Sequence, residues 1–145
     1  PDTDRDFPLP EYQTFGSSGL DIRAYFAPQE RVKGRTLSPG ERSLVSTGFS
    51  IAIPDGFEGQ IRARSGLALK YGIQLANGVG TVDNDYRGGL SVILINSGLQ
   101  PFVVEHRARI AQLVIARYER VTLEVVDNTS ETIRNDAGFG STGEF

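Results

Sequence analysis

The stretch from Ser43 to Arg64 reads S-L-V-S-T-G-F-S-I-A-I-P-D-G-F-E-G-Q-I-R-A-R and indicates the fold class of this chain. The alternation of apolar and polar residues from Ser43 to Pro54 predicts a β-strand. The triplet Pro54-Asp55-Gly56 predicts the turn that ends this strand. The residues from Phe57 to Arg64 then predict its hairpin partner, so the stretch as a whole predicts β-structure.

Similar short apolar runs follow along the chain. They predict strands at Leu90 to Ile95, at Arg109 to Tyr118 and at Val121 to Val126. The compact stretch from Gly66 to Tyr71 is the one helix candidate. With 17 glycines and seven prolines in 145 residues, these strands predict an all-β fold, a jelly-roll-like barrel or sandwich with one short helix.

The C-terminal residues predict an arm rather than part of the barrel. We place the division near Asp127, with a β-barrel domain at residues 1–127 and a flexible arm at residues 128–145. The arm ends in G-F-G-S-T-G-E-F, which cannot begin a strand or helix because its glycines leave the backbone free. Backbone N–H groups, hydroxyls and a guanidinium suit a phosphate, and the phenyl ring offers a flat face to a base.

Composition excludes several function classes. The chain has no cysteine and one histidine, His106, so thiol nucleophiles, disulfides and histidine-rich metal sites are excluded. The net charge of −3 argues against a general electrostatic grip on nucleic acid. No apolar stretch is long enough to span a bilayer, and no signal peptide is visible. We therefore expect no nucleic-acid or membrane partner and an intracellular, cytoplasmic location, with a nucleus or organelle left open.

Five segments carry the candidate chemistry, and the glycine-rich tail is the fifth. The others are Ser18 to Ala24, Arg62 to Ala68, Gly78 to Gly88 and Arg109 to Leu113. In this order and across essentially the whole chain, they resemble the five motifs of the trimeric dUTP pyrophosphatase (dUTPase) family. The resemblance implies a jelly roll, a homotrimer with sites shared between subunits, and Mg²⁺ as cofactor. It also implies hydrolysis of dUTP to dUMP and pyrophosphate, which limits uracil in DNA and supplies dUMP.

Two segments concern the phosphate chain. Arg64, Ser65 and Gly66 stand where a strand turns into the short helix, which suits either an anion cradle or an ordinary junction. The resemblance implies that these three residues grip the phosphates. Gln112 interrupts an apolar strand, so its amide needs a hydrogen-bond partner. A structural hydrogen bond and a phosphate contact are both open, and the resemblance implies the second.

The third segment holds the candidate general base. Asp83 and Asp85 both suit turn chemistry, and for Asp85 we prefer that interpretation. The resemblance implies that Asp83 activates the attacking water, a role open to an aspartate that is ionised at neutral pH. It further implies that the Tyr86 ring packs on the deoxyribose and rejects a 2′-hydroxyl. The alternative for Tyr86 is a half-buried strand aromatic.

The resemblance also assigns base recognition and arm closure. The loop residues Asn77, Gly78, Val79 and Gly80, with Val82, present polar backbone groups and one amide to a uracil edge. In the arm, Phe139 would stack on uracil, Arg134 would pair with the terminal phosphate, and Gly140, Ser141 and Thr142 would donate hydrogen bonds.

Metal binding is expected through the substrate. No side chain is expected to ligate Mg²⁺ directly, because the ion would be held by the substrate phosphates. The resemblance suggests that Asp21 supports the hydration shell of the ion. A capping or turn role for this carboxylate is the alternative.

Two residues of the arm depart from the family pattern. Asn135 and Ala137 stand where the family carries glycine, so we expect a stiffer arm.

Two rival functions remain open. A related deaminase acting on dCTP shares the barrel and the arginine-serine segment, but lacks the glycine-phenylalanine-glycine tail. A non-catalytic nucleotide-binding or regulatory module is the second rival, and the joint presence of Arg64, Ser65, Asp83, Tyr86 and Phe139 argues against it.

Overall fold

Three antiparallel sheets make up the barrel in the computed structural model, which describes residues 6–138. Its ten strands are β1 Glu11–Tyr12, β2 Leu20–Arg23, β3 Arg35–Leu37, β4 Arg42–Ser46, β5 Phe57–Arg62, β6 Ile73–Leu75, β7 Gly80–Val82, β8 Ser91–Asn96, β9 Phe102–Val104 and β10 Arg109–Arg117. One α-helix, α1 Ser65–Tyr71, and a 3₁₀ turn at Pro28–Glu30 complete the elements of this range.

The sheets enclose one apolar core. The five-stranded sheet has the order β1-β2-β10-β5-β7, the three-stranded sheet the order β4-β8-β6, and β3 pairs with β9. Alternate residues of the strands point inward, and Ile22, Val45, Val92 and Leu113 are almost completely buried. The architecture confirms the predicted all-β, jelly-roll-like class with one short helix.

Local patterns predicted three of the elements well. The strand expected at Leu90 to Ile95 is β8, and the one expected from Arg109 is β10. The helix expected from Gly66 begins one residue earlier, and it ends before Gly72, which has the left-handed conformation (φ 70°). β10 has nine residues and pairs with β2, which carries Asp21, and with β5, whose end leads to Arg64.

The hairpin predicted between residues 43–54 and residues 57–64 is wrong. A turn does form, with the Phe57 N–H donating to the Pro54 carbonyl at 3.2 Å. The strands on either side enter different sheets, however, because β4 pairs with β8 whereas β5 pairs with β10 and β7. Turn chemistry acts over a few residues and does not decide which strand becomes a neighbour.

The first of these strands also ends earlier than predicted, at Ser46. Gly48 follows with φ 76°, a left-handed conformation that favours glycine, and a Cβ there would lie 2.8 Å from Cγ of Tyr25. The buried Thr47 hydroxyl donates to the Leu90 carbonyl at 2.8 Å. The chain therefore leaves the sheet at this point.

The strand predicted at Val121 to Val126 does not form. Residues 118–138 contain neither strand nor helix, and the side chains of Val121, Leu123 and Val125 are 74%, 91% and 101% exposed. An apolar alternating run becomes a strand only when another strand offers a free edge, and within the described residues none pairs with this run.

Within residues 6–138, no helix has the length and apolar character needed to cross a membrane.

Candidate active site

A cavity of about 410 Å³ opens between the two larger sheets, beside β5, β7 and β8. It collects most of the residues predicted for base, sugar and catalysis: Asn77, Gly80, Val82, Asp83 and Tyr86. Apolar side chains from the neighbouring strands form its floor, among them Leu44, Ile61 and Ile93. The site thus combines an apolar floor with a rim of amide, carboxylate and phenol groups, an arrangement typical of small-molecule pockets.

The loop between β6 and β7 forms one wall of the cavity. The loop bridges two sheets, because β6 and β7 belong to different ones. Gly78 has φ 71°, and its N–H donates to the Leu75 carbonyl at 3.2 Å. Val79 is exposed, whereas Val82 is largely buried and lines the cavity from the side of the core.

A tight turn holds the predicted general base at the cavity mouth. The Tyr86 N–H donates to the Asp83 carbonyl at 3.2 Å, and both aspartates of the turn, Asp83 and Asp85, are exposed. The Asn84 amide donates to the Asp55 carboxylate at 2.9 Å, which ties the turn to the loop before β5. The Tyr86 hydroxyl donates to the Gly89 carbonyl at 3.2 Å and orients the ring.

A second cluster lies on the five-stranded sheet, where a carboxylate joins two arginines. Oδ1 of Asp21 lies 3.5 Å from Nε of Arg64, and Oδ2 lies 2.9 Å from a terminal nitrogen of Arg109. Arg64 also donates to the Arg109 carbonyl at 2.8 Å. Asp21 is inside β2, so the alternative of a capping or turn carboxylate is wrong. The cluster carries a net charge of +1 and suits an anion.

The other phosphate candidates flank this cluster. The Gln112 amide donates to the Ala63 carbonyl at 3.0 Å, so the structural hydrogen bond considered for it is present. Gly19 lies opposite, and a Cβ there would meet the amide oxygen of Gln112, so a larger residue would require the Gln112 side chain to shift. Ser65 and Gly66 begin α1 and are exposed, with open space where a Gly66 side chain would be.

Sequence reasoning assigned no role to Arg109 or to the Asn84–Asp55 pair. Arg109 is the first residue of the segment from Arg109 to Leu113. If side chains simply alternated along this strand, Arg109 would lie on the face opposite to Gln112. The β10 register shifts between Arg109 and Ala111, a bulge that brings Arg109 and Gln112 to the same face of the sheet. No local pattern in the sequence reveals such a shift.

Asp83 and the arginine cluster lie at opposite ends of β5. Val82 pairs with Gly59, so Asp83 lies near the start of β5, whereas Arg64 follows its end. The point on β5 beside Asp83 and the position of Arg64 are six residues apart along extended chain. At the usual rise of a strand this separation is about 20 Å. One chain therefore does not place Asp83 and Arg64 around the same phosphate.

The arm is described as far as residue 138. Arg134 is exposed and lies in a turn, far along the chain from the last strand. The predicted ligand contacts of Phe139, Gly140, Ser141 and Thr142 fall outside the described residues.

The residues present fit a metal ion that the substrate carries. Within residues 6–138, no three histidine, aspartate or glutamate side chains group together as metal ligands. Both oxygens of Asp21 contact guanidinium groups, so direct coordination by Asp21 would sacrifice two ion pairs. The arrangement suits Mg²⁺ that arrives on phosphate oxygens and keeps several waters, as this ion usually does.

The fold and cavity define a jelly-roll protein with a polar, carboxylate-bearing ligand site. The sequence model of the dUTPase family matches residues 5–143, and this chain belongs to that family.

Relatives of high identity agree with this assignment. The deoxyuridine 5'-triphosphate nucleotidohydrolase of Rickettsia felis is 52% identical over 135 residues, which cover 93% of this chain and 88% of the relative. The protein of the same name from Methylocella silvestris is 51% identical over 138 residues, which cover 95% and 84%.

A solved structure shows the same fold. The dUTPase of Staphylococcus bacteriophage 80alpha, determined with dUPNHPP, aligns with a TM-score of 0.83. The alignment covers 97% of this chain and 94% of the phage chain at 24% identity.

Proposed function

We propose that this protein hydrolyses dUTP to dUMP and pyrophosphate, which limits uracil incorporation into DNA and supplies dUMP. The observation that carries the proposal is the cavity that unites the loop at Asn77, the Tyr86 ring and the Asp83 carboxylate. These groups correspond to the three tasks of base recognition, sugar recognition and water activation.

Recognition begins with the base and the sugar. The Asn77 amide and the backbone of the loop offer both donors and acceptors to the N3–H and O4 of uracil, a pattern that cytosine does not match. The Tyr86 hydroxyl is fixed by Gly89, so its ring presents a stable surface to a deoxyribose. A 2′-hydroxyl against that surface would lose its water without gaining a partner, which disfavours UTP.

The reaction then needs one proton acceptor. Asp83 accepts a proton from a water molecule as the water oxygen attacks the α-phosphorus. The bond from the α-phosphorus to the bridging oxygen breaks, and pyrophosphate leaves. Arg64, Ser65, Gly66 and Gln112 bind the phosphate chain and orient it for this attack.

Mg²⁺ fits as a companion of the substrate. The triphosphate oxygens would hold the ion, and Asp21 would support its hydration shell. When bound, the ion supplies charge neutralisation to the phosphates. The chain's own contribution is the cationic cluster around Asp21, which binds and orients the same phosphates.

We propose a homotrimer with shared sites: the family resemblance supports the trimer, and the distance between Asp83 and Arg64 supports sites shared between subunits. A triphosphate that reaches both groups needs the cavity of one subunit beside the arginine cluster of another. The residues from 128 onward act as an arm that closes over the site, so that Arg134 reaches the terminal phosphate. Because its substrate belongs to the intracellular nucleotide pool, we place the protein in the cytoplasm.

A substitution that keeps the shape of the turn tests the proposal. Asp83→Asn should lower kcat by about 10²- to 10⁴-fold, because the general base is lost, while a non-hydrolysable dUTP analogue still binds. Asp85→Asn, in the same turn, is the matched control and should retain nearly full turnover. A near-normal rate for Asp83→Asn would remove the general-base assignment.

Substrate scope is tested separately on the unmodified protein. Pyrophosphate release should be fast with dUTP and slow with dTTP, dCTP and UTP, and it should fall when Mg²⁺ is removed. Release of ammonia from dCTP would instead identify the rival deaminase activity.

A further inference from the structure

The root of the arm contains a turn that is closed by its own side chains. The Thr132 N–H donates to the Asn135 side-chain oxygen at 2.8 Å, and the Asn135 N–H donates to the Thr132 hydroxyl oxygen at 2.9 Å. The two bonds run in opposite directions between the same two residues. Such reciprocal side-chain-to-backbone pairs fix a short segment without help from packing.

Packing indeed contributes little here. Residues 131–138 are all exposed, and the last strand of the barrel ends at Arg117. Asn135 has φ 42°, a left-handed conformation that asparagine tolerates better than most residues. Asn135 thus satisfies the backbone requirement that favours glycine and adds a side chain that closes the turn.

Arg134 lies inside this turn and is bound to it at both its backbone and its side chain. Its Nε donates to the Ala137 carbonyl at 2.8 Å, and its own carbonyl accepts from the Ala137 N–H at 3.0 Å. Within the described residues, the two terminal nitrogens of the guanidinium make no hydrogen bond. These two nitrogens form the fork that recognises phosphate oxygens.

We propose that Thr132 and Asn135 are positioning residues for Arg134. Their reciprocal pair closes the turn before the nucleotide arrives, so the guanidinium is already restrained when the terminal phosphate binds. The inference rests on the proposed function, in which Arg134 contacts that phosphate.

The physical advantage is a smaller loss of conformational entropy on binding. An open segment must order several backbone residues and one long side chain when it closes on a ligand. A segment that is already closed loses less freedom, and the difference appears as affinity. The effect is restricted to ligands that carry the terminal phosphate, because only these engage Arg134.

The test measures how tightly two ligands bind to variants whose substitutions are at exposed positions of the arm and leave the barrel intact. The ligands are the non-hydrolysable imido analogue of dUTP and dUDP, which lacks the terminal phosphate. Thr132→Val removes the hydroxyl acceptor, and Asn135→Gly removes the amide but keeps the left-handed backbone. Each variant should bind the analogue about 3- to 10-fold more weakly and bind dUDP normally. The double variant should lose less than the product of the single losses, because both bonds close one turn.

Three further variants decide between explanations. Thr132→Ser keeps the hydroxyl and should bind like the unmodified protein, and so should Ser130→Ala, which removes a nearby hydroxyl that makes no hydrogen bond within residues 6–138. Arg134→Ala should lose the preference for the triphosphate. If Arg134→Ala loses it while Thr132→Val and Asn135→Gly bind normally, the positioning inference is wrong and the proposed function stands. If Arg134→Ala also binds normally, the role of Arg134 in the proposed function fails together with the inference.

Discussion

The Asp21 carboxylate on β2 and the Arg64 guanidinium at the end of β5 form an ion pair, with 3.5 Å between Oδ1 and Nε. The second carboxylate oxygen holds Arg109, and Arg64 donates to the Arg109 backbone carbonyl. Two of the three guanidinium nitrogens of Arg64 are therefore restrained before any ligand binds. In the proposed function, Asp21 acts on the phosphate site by orienting this arginine.

We predict that Asp21→Asn lowers kcat/KM by about 10- to 100-fold, because a charge-assisted contact to Arg64 is lost. Steady-state kinetics at saturating Mg²⁺ measure the effect. Arg23→Gln is the matched control, since Arg23 is the register partner of Arg109 on the same face but contacts Glu11 and the Arg107 carbonyl. An equal loss in both variants would indicate a general effect on the sheet.

The separation of Asp83 and Arg64 along β5 predicts complementation between inactive subunits. Asp83→Ala and Arg64→Ala should each be inactive alone. After unfolding and refolding together in equal amounts, about one quarter of the sites should combine an intact Asp83 with an intact Arg64 from another subunit. Pyrophosphate release from the mixture measures this recovery. Activity that stays at the level of the separate variants would place both residues in a single-subunit site.

The hydrogen bond from Asn84 to Asp55 predicts a contribution to catalysis from outside the cavity. Asn84→Ala and Asp55→Ala should each reduce kcat by about 5-fold, because the turn that carries Asp83 loses its one tie to the loop before β5 in the described part of the chain. The double variant should be no worse than either single variant, which a double-mutant cycle can measure. Fully additive losses would argue against a coupled pair.

Two glycines with similar backbone angles predict very different costs of substitution. Gly48 and Gly56 have φ values of 76° and 79°, but only Gly48 has a neighbour, the Tyr25 ring, where a Cβ would be. Gly48→Ala should destabilise the fold by about 2–4 kcal/mol through strain and overpacking, whereas Gly56→Ala should cost about 1 kcal/mol through strain alone. Thermal unfolding at a fixed protein concentration compares them. Equal shifts in Tm would mean that Tyr25 can move away at little cost.

The arm remains partly a prediction from the sequence. The stacking of Phe139 and the hydrogen bonds of Gly140, Ser141 and Thr142 are expectations that truncation before residue 139 would test. The stiffer arm expected from Asn135 and Ala137 stays a prediction; both residues take part in the closed turn around Arg134. In the proposed function, the arm closes over the site and this turn brings Arg134 to the terminal phosphate.

The amino-acid sequence by itself determined the all-β class, the strands β8 and β10 and the short helix after Arg64, and it predicted which residues form the site. These features depend on alternation, glycine placement and motif order, which act within a few residues of one another. Only the tertiary structure decided that β5 pairs with β10 and β7, that residues 121–126 form no strand, and that a bulge turns Arg109 toward Asp21. It also decided that Asp83 and Arg64 lie at opposite ends of one strand. Strand pairing is a competition among all edges of the chain, and its outcome depends on core packing that no short stretch of sequence contains.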